Sequence, residues 1–241
     1  MAGALSTELP VKPGKTSGTA KRMIQVVFTM ALWVTIVFVS AGRLRWTRGW
    51  ICVTAYIVIM CSVGMLVRRL NPGLLQARAR WRREDTKAFD KVFLSVYLPL
   101  TFVQPAIAGL DAVRFRWTSM PFATVYPGLA LFVFAMSIIT WVMMVNPHAE
   151  STVRIQSDRD HKAVTAGPYR IVRHPMYVGS ILMYPGTALM FGSWWALAVS
   201  GVITILFIWR TALEDRTLRR ELPGYDQFAA VTRYRLIPGL W

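Results

Sequence analysis

Met23 to Gly42, MIQVVFTMALWVTIVFVSAG, is an almost unbroken apolar run with Lys21 and Arg22 before it and Arg43 after it. A helix that crosses a bilayer needs about 20 predominantly apolar residues, and this run supplies them. A cleaved signal peptide has a shorter apolar core and a small-residue cleavage site, so the run is expected to stay as a span. Further runs follow at Gly49–Val67, Val92–Leu110, Pro121–Val145, Met176–Phe191 and Trp194–Trp209. Pro99 and Pro105 are expected to kink the third. The last two are short for straight crossings, so they form a tight hairpin at Gly192-Ser193 or lengthen into their flanks.

Composition agrees. Of 241 residues, 54% are hydrophobic and 17% charged, against about 25% charged in soluble domains. The net charge of +16 invites a nucleic-acid reading, but the basic residues flank apolar runs instead of forming a soluble basic face. No nucleic-acid partner is expected. Cys52 and Cys61 lie in one run at a spacing unlike a metal or redox motif, and with only three histidines no metal site is expected.

The expected fold is therefore an all-α integral membrane protein with about six transmembrane helices. Residues 1–22 read as a flexible tail, 23–145 as four spans, and 146–241 as a catalytic region with a helical hairpin and a C-terminal segment. Of the 28 basic residues, 23 fall in the N-terminal tail, the loops after spans two and four, and the C-terminal segment; Arg43, Arg45, Arg48, Arg114 and Arg116 fall in the opposite loops. The positive-inside rule puts both termini in the cytosol.

Two polar stretches carry chemistry. In residues 161–179, HKAVTAGPYRIVRHPMYVG, Gly167-Pro168 marks a turn. Pro175 suits a first helical position, where its missing N–H costs nothing. Tyr169, Arg173, His174 and Tyr177 then gather at a helix mouth beside the membrane. In residues 209–216, WRTALEDR, Arg210 and Glu214 share a helix face. Taken singly these residues are ordinary: Arg173 a membrane-edge anchor, Arg210 and Glu214 a surface pair worth ~0.3–0.5 kcal/mol, His148 a loop residue.

Together they are specific. The first stretch resembles the Gly-Pro-Tyr…Arg-His-Pro-x-Tyr-x-Gly signature of the isoprenylcysteine carboxyl methyltransferase family and its phospholipid methyltransferase relatives. The second resembles that family's Arg-x-x-x-Glu segment, and Tyr225…Arg233…Ile237-Pro238 its C-terminal pattern. The resemblance covers about residues 146–241. It implies an S-adenosyl-L-methionine pocket on the cytosolic side, built from the 146–175 loop and the C-terminal segment. His161, Val164, Gly167, Pro168, Tyr169, Arg173, His174, Pro175, Tyr177 and Glu214 would hold the cofactor. Arg210 would bind the substrate and act in catalysis, gripping a carboxylate through a bidentate fork.

The implied function is methyl transfer to a lipophilic, lipid-borne substrate, with an isoprenylcysteine-like carboxylate first and a phospholipid or other lipid amine as the alternative. The implied location is a bacterial inner membrane or the endoplasmic reticulum. A sterol-reductase-like enzyme using NADPH is the closest rival, since it shares Arg-His-Pro-x-Tyr. It typically has Asn where Met176 stands and an acid soon after the glycine, where this chain has Ser180.

Overall fold

The computed structural model describes residues 17–78 and 85–241. Its helices are α1 (Ser17–Ala41), α2 (Thr47–Leu70), α3 (Pro72–Arg78), α4 (Ala88–Gly109), α5 (Val125–Val145), α6 (Pro175–Phe191), α7 (Trp194–Glu221) and α8 (Tyr225–Val231). A π-helical turn, Leu110–Phe115, extends α4, which runs through both Pro99 and Pro105. No strand occurs among the described residues. Five segments are long and apolar enough to cross a membrane: Ile24–Ala41, Thr47–Leu70, Ala88–Phe115, Phe122–Val145 and Trp194–Glu221. Only 17–33% of each apolar window is buried inside the protein. So much outward apolar surface requires lipid as its solvent: this is an all-α integral membrane protein.

The sixth apolar run forms α6, with 17 residues and thus about 25 Å long at 1.5 Å per residue. It nevertheless runs the same course as its neighbours, because hydrogen bonds fix which helix ends lie together. At one end, Arg48 donates to Met120 O (2.8 Å) and Thr124 Oγ1 (3.1 Å), Thr124 Oγ1 donates to Leu189 O, and Ser193 Oγ donates to Asp111. At the other, Asn71 donates to Met143 O, Arg78 to Ala149 O and Arg210 to Ser151 O. Helix ends therefore alternate between two faces through all six long helices.

The α6–α7 hairpin follows from its turn residues. Gly192 ends α6 with φ +78°, a conformation glycine adopts without Cβ strain. A Cβ there would also meet Arg48 Nη1 at 2.1 Å. Ser193 then caps α7 by accepting the Ala196 N–H. α7 outruns its apolar stretch by three turns, to Glu221, because residues 210–221 are rich in Arg, Leu and Glu, all good helix formers. This lengthening carries Arg210, Glu214 and Asp215 on one rigid rod instead of a loose terminal segment. At its other end, α1 begins at Ser17, before its apolar run; residues 1–16 of the expected tail lie outside the described residues.

Small residues set the α5–α6 contact. A Cβ on Gly128 would lie 2.7 Å from Met190 N, and one on Gly186 2.9 Å from Phe132 N. Backbones this close gain packing that lipid cannot replace. Between α4, α6 and α7, Gln104 donates to Tyr184 O (2.9 Å) and Ser200 Oγ (2.8 Å) and accepts from Thr187. That network satisfies the polar groups which three helices bury in the apolar layer.

Candidate active site

A cavity of about 350 Å³ opens where α4, α6 and α7 meet the 146–174 loop. This size fits a small-molecule site, which typically spans about 300–1,000 Å³. Of the sequence-expected residues, His161, Val164, Tyr169, Arg173, His174, Tyr177, Arg210 and Glu214 line it. Gly167, Pro168 and Pro175 do not. Gly167 and Pro168 form the 3₁₀ turn Gly167–Arg170 behind Tyr169, with Gly167 at φ +59° and packed under the Trp141 indole. Pro175 occupies the first position of α6.

N–H groups at the first turn of α6 bond within the protein. The His174 N–H donates to Arg235 O, and the Tyr177 and Val178 N–H groups return to His174 O. The Tyr177 hydroxyl donates to the Glu214 carboxylate. The Tyr177 ring stacks on His174 at 5.7 Å and 5° and also lies 5.0 Å from the Arg210 guanidinium carbon. Its ring is thus packed by His174 and Arg210, while its hydroxyl is held by Glu214.

Arg210 and Glu214 do share a face of α7, but they are not paired. Arg210 turns to α4, where its Nε lies 2.8 Å from Oδ1 of the fully buried Asp90. The pair is close but poorly aligned, and neither atom gains a directed hydrogen bond. Arg210 Nη2 donates to Ser151 O at 3.2 Å, and its guanidinium carbon sits 4.4 Å from the Phe93 ring centre. Only Nη1 remains without a partner among the described residues. The bidentate fork is thus half used. Glu214, by contrast, has no guanidinium partner among the described residues. Its carboxylate lines the cavity.

Arg173 faces the cavity but serves another acid. Asp215 is 1% exposed. It accepts from Arg173 Nε (2.7 Å), Arg235 Nε (3.0 Å) and the Tyr225 hydroxyl (3.0 Å), with His174 Nε2 at 3.5 Å. Arg173 Nη1 also donates to the Thr232 and Arg233 carbonyls. Asp215 therefore gathers α7, the 167–175 stretch and the C-terminal residues around one carboxylate. Arg235, not the motif-matching Arg233, supplies the side chain.

Residues 149–154 strap the cavity. The Val153 N–H donates to Asp90 Oδ2 (2.7 Å), the Lys87 N–H to Val153 O (3.0 Å), and Arg78 Nη1 to Ala149 O (2.6 Å). Arg154 holds the strap together through Glu150 and Asp158. His148, read from sequence as a loop residue, joins the wall with its ring centre 4.7 Å from that of His161. The Gln156 N–H donates to His161 Nδ1 at 3.3 Å, which leaves the His161 proton on Nε2. Burial, then the neighbouring His148, lowers the His161 pKa from its ordinary 6.5 to about 4, so the ring is neutral near pH 7. Burial likewise lowers that of His148 and raises that of Tyr169.

Asp90, Arg78 and Tyr97 line or support the cavity from outside the motifs. The one sequence signal for Asp90 was a lone acid at the start of an apolar helix, where an unpaired charge is costly. Arg78 stood among many loop arginines and carried no signal of its own. No group of three or more His, Cys, Asp or Glu among the described residues is placed to hold a metal ion.

No individual curated protein matches the chain. Residues 123–223, from the turn before α5 to just beyond the end of α7, match the phospholipid methyltransferase family.

Proposed function

We propose that this protein transfers a methyl group from S-adenosyl-L-methionine to a lipophilic acceptor at the membrane face. The observation that carries the reading is Glu214: a cavity-facing carboxylate, fixed by the Tyr177 hydroxyl and left without a guanidinium partner among the described residues. Such a group suits a cationic cofactor. When bound, S-adenosyl-L-methionine supplies an electrophilic methyl group on a sulfonium.

The chain's own residues then bind and orient. Glu214 takes the ammonium or the ribose hydroxyls, while the neutral His161 offers its Nε2–H from the strap. Val164 and Tyr169 close the apolar sides. Arg210 holds the acceptor's anionic group through Nη1. Displacement at a methyl group demands alignment above all, and a site fixed by α6 and α7 supplies it. The strap excludes water from the reacting pair.

An isoprenylcysteine-like carboxylate fits Arg210 and needs no general base. The half-used fork of Arg210 and the phospholipid methyltransferase match favour a second reading. There the acceptor is a lipid amine, and Arg210 holds the lipid phosphate. Calorimetry with S-adenosyl-L-methionine and NADPH on the purified protein tests the cofactor. Binding of NADPH alone would overturn the methyltransferase reading in favour of a reductase. Methyl transfer from labelled cofactor to an S-alkylated cysteine acid and to phosphatidylethanolamine then separates the acceptors.

A further inference from the structure

The cavity holds a second guanidinium that neither the motifs nor the matched residues include. Arg78 ends α3, and its Nη1 donates to Ala149 O at 2.6 Å and lies 3.8 Å from Met176 Sδ. Arg210 donates to Ser151 O and lies over Tyr177. The two arginines therefore hold alternate carbonyls of one strap and flank adjacent residues of α6. Two residues of chain span at most about 7 Å. Both guanidinium groups line the cavity, and Arg210 is near enough to act on the charge of Arg78; two such groups facing one cavity wall suit a shared oxyanion.

Among the described residues, the charges at this wall do not balance. Asp90 answers Arg210. Glu214 is held by Tyr177 and suits the cofactor's cation. Glu150 is already gripped by Arg154 through two contacts, 2.9 and 3.1 Å, and lies 3.4 Å from Arg159. Arg78 has no carboxylate at ion-pair distance among the described residues: Glu150 acts on it only from farther away, and its bonds there are to a carbonyl and a thioether. A cation taken out of water without a counter-charge is costly. Burial, then the nearby Arg210, lowers its pKa, and the opposing pull of Glu150 does not restore it.

We propose that Arg78 and Arg210 form a two-point clamp for the oxyanion of the acceptor lipid, the phosphodiester of a phospholipid or the carboxylate of a lipidated acid. Arg78 is the specificity-determining member, because Asp90 already neutralises Arg210. The clamp rests on the methyl-transfer reading of this cavity, but its binding step can be measured without transfer.

The test uses the full chain in neutral detergent and three probes: short-chain phosphatidylethanolamine, an N-acetylated S-alkyl cysteine, and an uncharged monoacylglycerol. Arg78→Gln should weaken the tighter-binding anionic probe about tenfold, while leaving the monoacylglycerol and S-adenosyl-L-methionine affinities unchanged. Which anionic probe responds identifies the source of the oxyanion. Unchanged anionic binding overturns the clamp. So does an equal loss for all three lipids, which marks a strap anchor, or a loss confined to S-adenosyl-L-methionine. Should Arg78→Gln fail to fold, Arg78→Lys keeps the charge and should cost the anionic probe about threefold, since it lacks the planar fork; equal anionic affinity in that variant also overturns it. If wild-type protein binds no S-adenosyl-L-methionine while the anionic loss persists, the clamp stands and the methyl-transfer reading falls.

Discussion

Arg173 Nε lies 2.7 Å from Asp215 Oδ1, and its Nη2 lies 3.3 Å from Oδ2. This buried pair joins the turn before α6 to the extended end of α7. Removing one partner strands the other charge, which typically costs about 3–5 kcal/mol. Asp215→Ala should therefore lower unfolding stability in detergent by that order, measured without ligand. Asp226→Ala, which removes a largely exposed partner of Arg219, should change little. Equal stability of the two variants would show that Asp215 is no hub.

Glu214 sits one residue before that hub but has a different task. Glu214→Gln should leave unfolding unchanged and weaken S-adenosyl-L-methionine binding about tenfold or more, as a charge-assisted contact is lost. Tyr177→Phe should weaken it less, since it removes only the hydroxyl that orients the carboxylate. Calorimetry on both variants checks the order; wild-type affinity in Glu214→Gln removes the residue from the site.

Arg210 is expected to act on the acceptor. Arg210→Ala should spare cofactor binding and lower turnover about 10²–10³-fold, the scale seen when one aligned charge contact is lost at a reacting centre. Lys at this position should rescue only partly, because a point charge cannot contact Asp90, Ser151 O and the acceptor together. Turnover across pH separates the acceptors: a carboxylate gives a flat profile near neutrality, whereas an amine speeds up toward its pKa. Full activity of Arg210→Ala on every acceptor defeats the assignment.

His161 makes stability depend on acid. Its folded-state pKa of about 4 lies below the ordinary 6.5, so the unfolded chain takes the proton more readily. Its stabilising contribution is complete above about pH 6.5 and is lost as pH falls toward 4. His161→Gln should flatten this limb of the melting-temperature profile. A limb of unchanged steepness would assign the acid sensitivity elsewhere.

Both termini are expected on the cytosolic face. Reporter fusions after Arg83 and Arg220 should read as cytosolic, and fusions after Arg45 and Arg116 as external. An external signal after Arg83 would invert the orientation, and with it the side on which the cavity opens.

The lining of the cavity is partly legible in the sequence. Tyr169, His174, Tyr177, Arg210 and Glu214 stand within two short segments, and helical spacing alone places Arg210 and Glu214 on one face. That spacing could not show whether they pair. Asp90 lies 120 residues earlier, and its capture of Arg210 depends on α4 packing beside α7. His148 looked idle because its partner, His161, is brought near only by the folded strap.

By itself, the sequence determined the solvent of this protein and where its apolar helices lie. Lipid admits only backbones that satisfy their own hydrogen bonds, so long apolar runs become helices wherever they lie. The sequence also determined the α6–α7 turn, where Gly192 and Ser193 act locally. Tertiary structure alone decided how charge is shared at the cavity: Asp90 with Arg210, Asp215 with Arg173 and Arg235, Glu214 with the Tyr177 hydroxyl, and Arg78 with no acid at ion-pair distance among the described residues. Ion pairing falls off over a few ångströms, and those distances are set by which helices touch, not by how far apart residues stand along the chain.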